Sequence, residues 1–364
     1  QYTCRGESPR HLCSHPDLCQ DCGVADDTTY SVVVVTHNHA DTIPACLAAV
    51  AALEPPPQRV VIVDNASRDA SPDVAAGWAA KLQLRILRQQ TNAGFATAVN
   101  HGIRESDSGW VLSLNPDCAP SPDFVARLLR AVATQPESDT IGCVTGKLIR
   151  AEGPDLRTDG ILDAAGMVVT RSGRHFDRGA GEAERGQFDR RAWVFGGTGA
   201  ATLYRRRALE DVAYPENEAF AESFFAYRED AELAWRLQWR GWRCLYEPSA
   251  VAAHGRTYRP ERGRRGHTTI NQLSVRNRFL LRMHCADFGW HVGCFPWWLA
   301  RDLMVIGACL TVERSSLPGL AQAWRLRQDA VRRRRWVMSR RTTPSRRLRR
   351  WFRTPGWTEE IVAE

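Results

Sequence analysis

The chain has 364 residues, 43% hydrophobic and 25% charged, the make-up of an ordinary globular protein with a full core in one large domain or two. Its net charge of +8 conceals an asymmetry: 26 basic stand against 33 acidic side chains up to His254, and 23 against 8 from Gly255 onward. Seven of the 11 Cys are scattered without pattern, which sets aside a disulfide framework and fits a reducing compartment.

The first 29 residues read as a Cys-rich leader without the apolar core of a secretory signal. Cys4, Cys13, Cys19 and Cys22 crowd there beside His11 and His15, a loose grouping that offers a possible zinc site or none. From Tyr30 the pattern becomes regular. Residues 31–36 (SVVVVT) form a continuous β-branched run, the mark of a strand buried on both faces. A helix is predicted over 41–53 with Asp41 as its cap, then a second buried strand over 59–64 (RVVIVD). A helix over 71–82, a strand over 84–87, a helix over 96–105 and a strand over 110–114 follow.

Strand, helix and strand at these intervals imply a doubly wound, mixed but mainly parallel α/β sheet. Ligands of such sheets bind beyond the carboxyl ends of the strands. Thr36-His37-Asn38, Asp64-Asn65 and Asn115-Pro116-Asp117 all fall on that edge. Each group alone serves equally as a turn-former; three at one mouth favour a site. Neither GxGxxG nor GxxxxGK[ST] occurs, so phosphate recognition has to come from a metal or from Arg side chains.

Beyond a strand over 141–148 the chain is Gly-rich to residue 192, predicting loops and a small hairpin. Residues 193–204 (WVFGGTGAATLY) read either as a strand with a bulge or as backbone brought close to a ligand. In the stretch 224–242, Glu229, Asp230 and Glu232 open a helix. Dipole complementarity accounts for acids there, and Glu232 has an (i, i+4) partner in Arg236. The lead Phe224-Phe225-Ala226-Tyr227 sets Glu229 and Asp230 beside apolar walls, where desolvation raises a carboxylate toward useful basicity. His254 stands at a further strand exit, and Asp117 with His254 is a minimal protein set for Mg²⁺ or Mn²⁺.

The ordered series T-H-N (36–38), D-N-A-S-x-D (64–69), N-A-G-F-A-x-A-x-N-x-G (92–102), L-N-P-D (114–117), G-A-A-x-L (199–203), F-F-A-Y-R-E-D-x-E-L-x-W-R-L (224–237), G-W (241–242) and His254 resembles glycosyltransferase family 2, its rhamnosyltransferase-like branch above all. The resemblance implies a GT-A fold over 30–268, a nucleotide-sugar donor with dTDP-rhamnose the best guess, a divalent cation, and inversion at the anomeric carbon. It places Thr36, Asn38, Asp64 and Asn65 on the nucleotide and extends donor binding to Asn92, Gly94, Phe95, Asn100, Asn115, Gly199, Ala200 and Arg256. Asp117 and His254 are implied metal ligands. Asp230, or second to it Glu229, is the implied general base. His37 stands where the family usually has Tyr, and Asn115 where it has an acid.

Residues 255–268 (GRTYRPERGRRGHT) read as a lid over the diphosphate or as a solvated basic loop. The remainder, 269–364, is expected to be helical, basic and membrane-associating. Residues 288–312 are apolar except for Arg301-Asp302, which suits an interfacial helix with Trp297 and Trp298 at headgroup level and Leu303 buried beside them. Arg332–Arg335 with Trp336 and Arg346–Arg350 with Trp351 alternate cations and aromatics. An anionic leaflet explains both features, whereas nucleic acid explains only the second. The expected setting is the cytoplasmic face of the inner membrane, with a lipid-linked or polymeric saccharide of the cell envelope as acceptor. The rival class is a non-catalytic nucleotide or nucleic-acid binding module with a decayed site.

Overall fold

A computed structural model describes residues 28–256, 268–352 and 360–362; the Cys-rich leader and most of the expected lid lie outside the described residues. The first half alternates as the sequence predicts: β1 (Tyr30–Thr36), α1 (Ile43–Ala51), β2 (Arg59–Asp64), α2 (Ser71–Ala76), β3 (Leu84–Arg88), α3 (Phe95–Arg104) and β4 (Trp110–Leu114). Helix α2 is shorter than predicted, and α1 starts after Thr42 with no side-chain cap, so Asp41 does not cap it.

A short β5 (Cys118–Pro120) and α4 (Phe124–Ala133) lead into β6 (Ile141–Glu152). The Gly-rich stretch holds β7 (Arg157–Ala164) and a hairpin of β8 (Met167–Val169) and β9 (His175–Asp177). Then come β10 (Ala192–Val194), β11 (Ala201–Arg205), α5 (Arg206–Val212), α6 (Glu229–Arg240) and β12 (Arg243–His254). In the main sheet β3, β2, β1 and β4 run parallel, β11 is antiparallel between β4 and β6, and β6 and β12 are parallel. The expected mixed, mainly parallel sheet is present.

The β-branched runs are explained by which face each residue enters. Val32, Val34, Val60 and Ile62 pack into one core cluster, while Val33, Val35, Val61 and Val63 pack into a second on the opposite face. Helices cover both sides, so neither alternation phase is polar.

The C-terminal helices are α7 (Thr268–Cys285), α8 (Phe288–Gly293), α9 (Phe295–Leu310), α10 (Leu317–Arg325) and α11 (Arg327–Arg340). A third core cluster joins them to α6: Trp235 and Trp239 pack with Leu280, Leu281, Trp290 and Phe352. The basic region is therefore built into the body of the molecule. Where one interfacial helix was expected over 288–312, the chain breaks at Cys294-Phe295-Pro296 into α8 and α9. Asp302 is buried between Arg278 and Arg282 of α7, which accounts for the charged step within an apolar helix. Trp298 corrects its expectation: its indole donates to the His291 carbonyl at 3.0 Å and Arg282 lies over its ring, so it faces the protein. Trp297 and Leu303 are left exposed by the chain, with Phe288, Val292 and Met304. The Arg332–Arg335 run is also partly internal, since Arg333 pairs with Glu218 and Asp329 and the Trp336 indole donates to the Ala213 carbonyl. Among the described residues no single helix is long and apolar enough to cross a membrane.

Candidate active site

Strand β4 stops at Leu114 because the Asn-Pro step leaves the ladder. Asn115 N–H donates to the Ala200 carbonyl, and the Asn115 carbonyl accepts from Cys118 N–H, closing a tight turn into β5. The Asp117 carbonyl accepts from Gly255 N–H, while its carboxylate Oδ1 points at Nε2 of His254, 3.5 Å away. His254 ends β12, and β5 pairs with β12 at Cys118 and His254. The register of two neighbouring strands thus brings together residues 137 positions apart. Asp117 lies within the turn and presents a donor atom beside His254.

The other imidazole nitrogen of His254 is held by Asp163 at 2.7 Å. Asp163 also meets Arg256, whose guanidinium reaches Asp177. Burial alone would lift the Asp117 carboxyl, but the His254 imidazole holds it below the usual range. Burial likewise opposes the imidazolium, yet Asp163 and Asp117 push His254 up to about 9. One carboxylate oxygen and, once its Nε2 proton is displaced, one imidazole nitrogen, side by side with a carboxylate behind the imidazole, suit a divalent cation that takes its remaining ligands from phosphate and water. Asn115 Nδ2 lies 3.4 Å from His254 Nε2, at the edge of this group.

A second pair of carboxylates lies at the start of α6. Gly199 N–H donates to Asp230 Oδ2 at 3.1 Å, so the 195–200 segment between β10 and β11 brings backbone to a side chain of the protein. Glu229 is buried, with Oε2 unpartnered among the described residues, whereas Asp230 is partly exposed. Burial pushes Asp230 up to about 6, helped by Asp177 and opposed by the Gly199 and Ala231 amides. Burial and the adjacent Asp230 charge push Glu229 up to about 8. Asp230 is thus the carboxylate that is both ionised near neutrality and open to a reactant.

The nucleotide-side residues sit at the ends of β1 and β2. Thr36 is fully buried with Oγ1 unpartnered among the described residues, and it neighbours Asp64, which accepts from Ser67 N–H. Asn38, at φ 59°, accepts from Arg68 N–H. Asn65 and Asn92 bond each other, and Asn65 Oδ1 accepts from Ala93 N–H. Several expected donor ligands are braces instead. Asn100 is buried, with its amide divided among Phe220 N–H, the Phe220 carbonyl and Glu222. Phe95 packs edge-on against Phe220 in the core. Gly94, at φ +89°, packs so tightly that a Cβ would lie 2.5 Å from the Phe225 carbonyl. Ala200 is buried and contributes its carbonyl to Asn115. Arg256, expected on the donor, pairs with Asp163 and Asp177.

Sequence reasoning missed Asp163 and Asp177, and it named Gly199 for donor binding, whereas its amide bonds to Asp230. Asp163 had a usable signal, since an apolar pair, Ile161-Leu162, ends in a carboxylate as Val61-Ile62-Val63 ends in Asp64.

The family model of glycosyl transferase family 2 matches residues 31–213, about half of the chain, and the chain belongs to that family. The N-acetylglucosaminyl-diphospho-decaprenol L-rhamnosyltransferase of Mycobacterium tuberculosis is 29% identical over 303 residues, covering 79% of this chain and 93% of that protein. The poly-beta-1,6-N-acetyl-D-glucosamine synthase of Staphylococcus epidermidis is 23% identical, over 61% of this chain and 48% of its own. Among solved structures, GalNAc-T7 with UDP, GalNAc and Mn²⁺ superposes with a TM-score of 0.56 at 14% identity, covering 85% of this chain and 56% of that one. TarS of S. aureus gives 0.52 at 17%, covering 83% and 49%. The chain spans about half the length of these two solved chains, and both likenesses show the GT-A fold.

Proposed function

We propose that this enzyme transfers a sugar, rhamnose from dTDP-rhamnose as first choice, to a lipid-linked saccharide of the cell envelope, with inversion. The observation that carries the reading is the pairing of two sites on one sheet edge. Asp117 and His254 present adjacent donor atoms, and Asp230 is a partly exposed, desolvated carboxylate at the start of α6. The choice of sugar and acceptor is supported by the mycobacterial relative.

Asp117 and His254 would hold a divalent cation, which when bound neutralises charge developing on a diphosphate leaving group. Asp163 fixes the His254 ring so that Nε2 faces Asp117. Asp230 takes the proton of the acceptor hydroxyl as that oxygen attacks the anomeric carbon from the face opposite the leaving nucleotide. The Gly199 amide keeps the Asp230 carboxylate aimed. Glu229, protonated beside it, prevents a second negative charge from competing for the same proton.

The test is a screen of dTDP- and UDP-sugars with a polyprenyl-diphospho-N-acetylglucosamine acceptor. Metal-dependent transfer from dTDP-rhamnose is expected. Transfer only from another donor would replace the sugar assignment, and no transfer from any would remove the reading. Asp117→Ala should abolish Mn²⁺-dependent tightening of dTDP or UDP binding in calorimetry, and unchanged metal dependence would limit Asp117 to its turn.

The exposed apolar side chains of α8 and α9, with Val312 after them, support a peripheral position on the cytoplasmic leaflet. The surrounding excess of Arg supplies attraction to anionic lipid. Replacing Phe288, Leu303 and Met304 together by Asp should reduce co-sedimentation with vesicles containing phosphatidylglycerol by about tenfold or more. Equal sedimentation of the triple variant would refute this placement.

A further inference from the structure

The four residues before Glu229 have an unusual backbone. Phe225 (φ 63°), Tyr227 (φ 69°) and Arg228 (φ 74°) all lie on the left-handed side, none of them glycine. At Phe225, ψ is −67° and Ala226 N–H donates to the Phe224 carbonyl at 2.7 Å. That is a γ-turn of the rare, strained hand. Such a segment persists only where its surroundings over-determine it.

Two surroundings do so. From the nucleotide side, Ala96 N–H donates to the Phe225 carbonyl at 3.0 Å, and Gly94 allows the close approach. From the C-terminal helices, fully buried Asn277 on α7 directs its side-chain nitrogen at three carbonyls, Phe224 at 2.9 Å, Ala226 at 2.8 Å and Tyr227 at 2.7 Å. Its own oxygen accepts from Arg276 Nε at 2.8 Å, and Arg276 Nη2 donates to the Phe224 carbonyl at 2.5 Å. An amide has two hydrogens, so the three carbonyls are drawn to one buried nitrogen and their relative positions are set by it.

We propose that Asn277, steadied by Arg276, is a positioning residue that holds the strained 224–228 segment and thereby aims Asp230 at the acceptor hydroxyl. This inference rests on the reading of Asp230 as the acceptor-side base. Asn277 touches no substrate. It acts through the carbonyls that fix where α6 begins, and the residue following Arg228 and Glu229 is Asp230 itself. The clamp is anchored deep in the C-terminal region, because the next residues along α7, Arg278 and Arg282, hold Asp302 of α9.

The experiment compares Asn277→Ala with the wild-type full chain in two measurements. Hydrogen–deuterium exchange should rise in the amides of residues 225–231, with the ends of β1 and β2 unchanged. In transfer from dTDP-rhamnose, kcat should fall about 30-fold or more while the calorimetric Kd and stoichiometry for dTDP stay within about twofold, since small misplacements of a reacting group reach 10² in rate. Equal exchange over 225–231 overturns the proposal, as does a kcat loss matched by an equal loss of nucleotide-binding sites. If Asn277→Ala does not fold, Arg276→Ala decides: a smaller change in the same direction supports the clamp, and wild-type exchange and kcat refute it. Wild-type chain inert with every donor would remove the functional reading, while the exchange comparison would still judge the clamp.

Discussion

One turn apart on α6 lie two carboxylate environments that the sequence writes in the same letters. Glu229 and Asp230 open the helix without a cationic side chain bonded to either carboxylate among the described residues: Asp230 takes backbone amides, and Glu229 Oε2 has no partner among those residues. Glu232, three residues on, accepts two bonds from Arg236 Nε, a third from Arg236 Nη2, and one from the Tyr214 hydroxyl. Both sites are desolvated. Burial raises the first pair, whereas at Glu232 the Arg236 and His284 charges overcome burial and hold the carboxyl far below its usual range. Burial alone does not make a reactive carboxylate; burial without a matched cation does. The paired acid is spent on structure, and the unpaired one remains available for chemistry.

The sharpest way to break this contrast is to neutralise one acid at a time. Asp230→Asn should lower kcat by about 10²–10⁴-fold, the range of general-base catalysis, with little change in donor affinity. Glu229→Gln should cost less activity, because Glu229 is already the protonated partner near neutral pH. In wild type, activity should fall as pH drops through about 6, where Asp230 takes up its proton. If Glu229→Gln proves the more damaging, the base is Glu229.

The structural acid should respond in stability instead. Arg236→Met leaves Glu232 buried without its guanidinium and also removes the bonds from Arg236 to the Val212 and Ala219 carbonyls. Breaking a buried pair from one side costs about 3–5 kcal/mol. Urea denaturation should show that loss, and the double variant Glu232→Gln, Arg236→Met should recover part of it. A double variant no better than the single would mean that the lost carbonyl contacts, not the stranded charge, dominate.

How much of this was legible in the sequence follows from how local each cause is. The strands β1, β2 and β4 were readable because burial on both faces requires uninterrupted apolar runs, and their exits named Thr36, Asp64 and Asp117. The Glu232–Arg236 pair was readable from helical spacing alone. Asn100 was misread because its partners, Phe220 and Glu222, are some 120 positions away and nothing near Asn100 announces them. Asn277 was invisible for the same reason, since the carbonyls it holds lie 50 to 53 positions before it. Trp297 and Trp298 are adjacent in sequence, yet one is exposed and the other bonded to His291, a difference set by helix rotation against α7.

The smallest effect expected is thermal, and its sign separates the two environments cleanly. A carboxyl raised by folding binds its proton more tightly folded than unfolded. Its contribution is therefore most favourable below the unfolded value, near 4.5 for Glu229, and is lost as pH rises through about 8. Glu229→Gln removes that titration. The Tm difference between variant and wild type should be close to zero at about pH 5 and should grow to roughly 2–5 °C in favour of the variant by about pH 9. Glu232→Gln should instead show a loss of Tm that stays level across this range, since a carboxyl depressed by folding stabilises fully at every pH above its unfolded value and the variant forfeits that stability throughout. Differential scanning fluorimetry of the three proteins across this range reads both signs in one experiment. Parallel curves for the two variants would show that Glu229 and Glu232 share one environment, and the division at the start of α6 between a reactive Glu229–Asp230 pair and a structural Glu232 would fall.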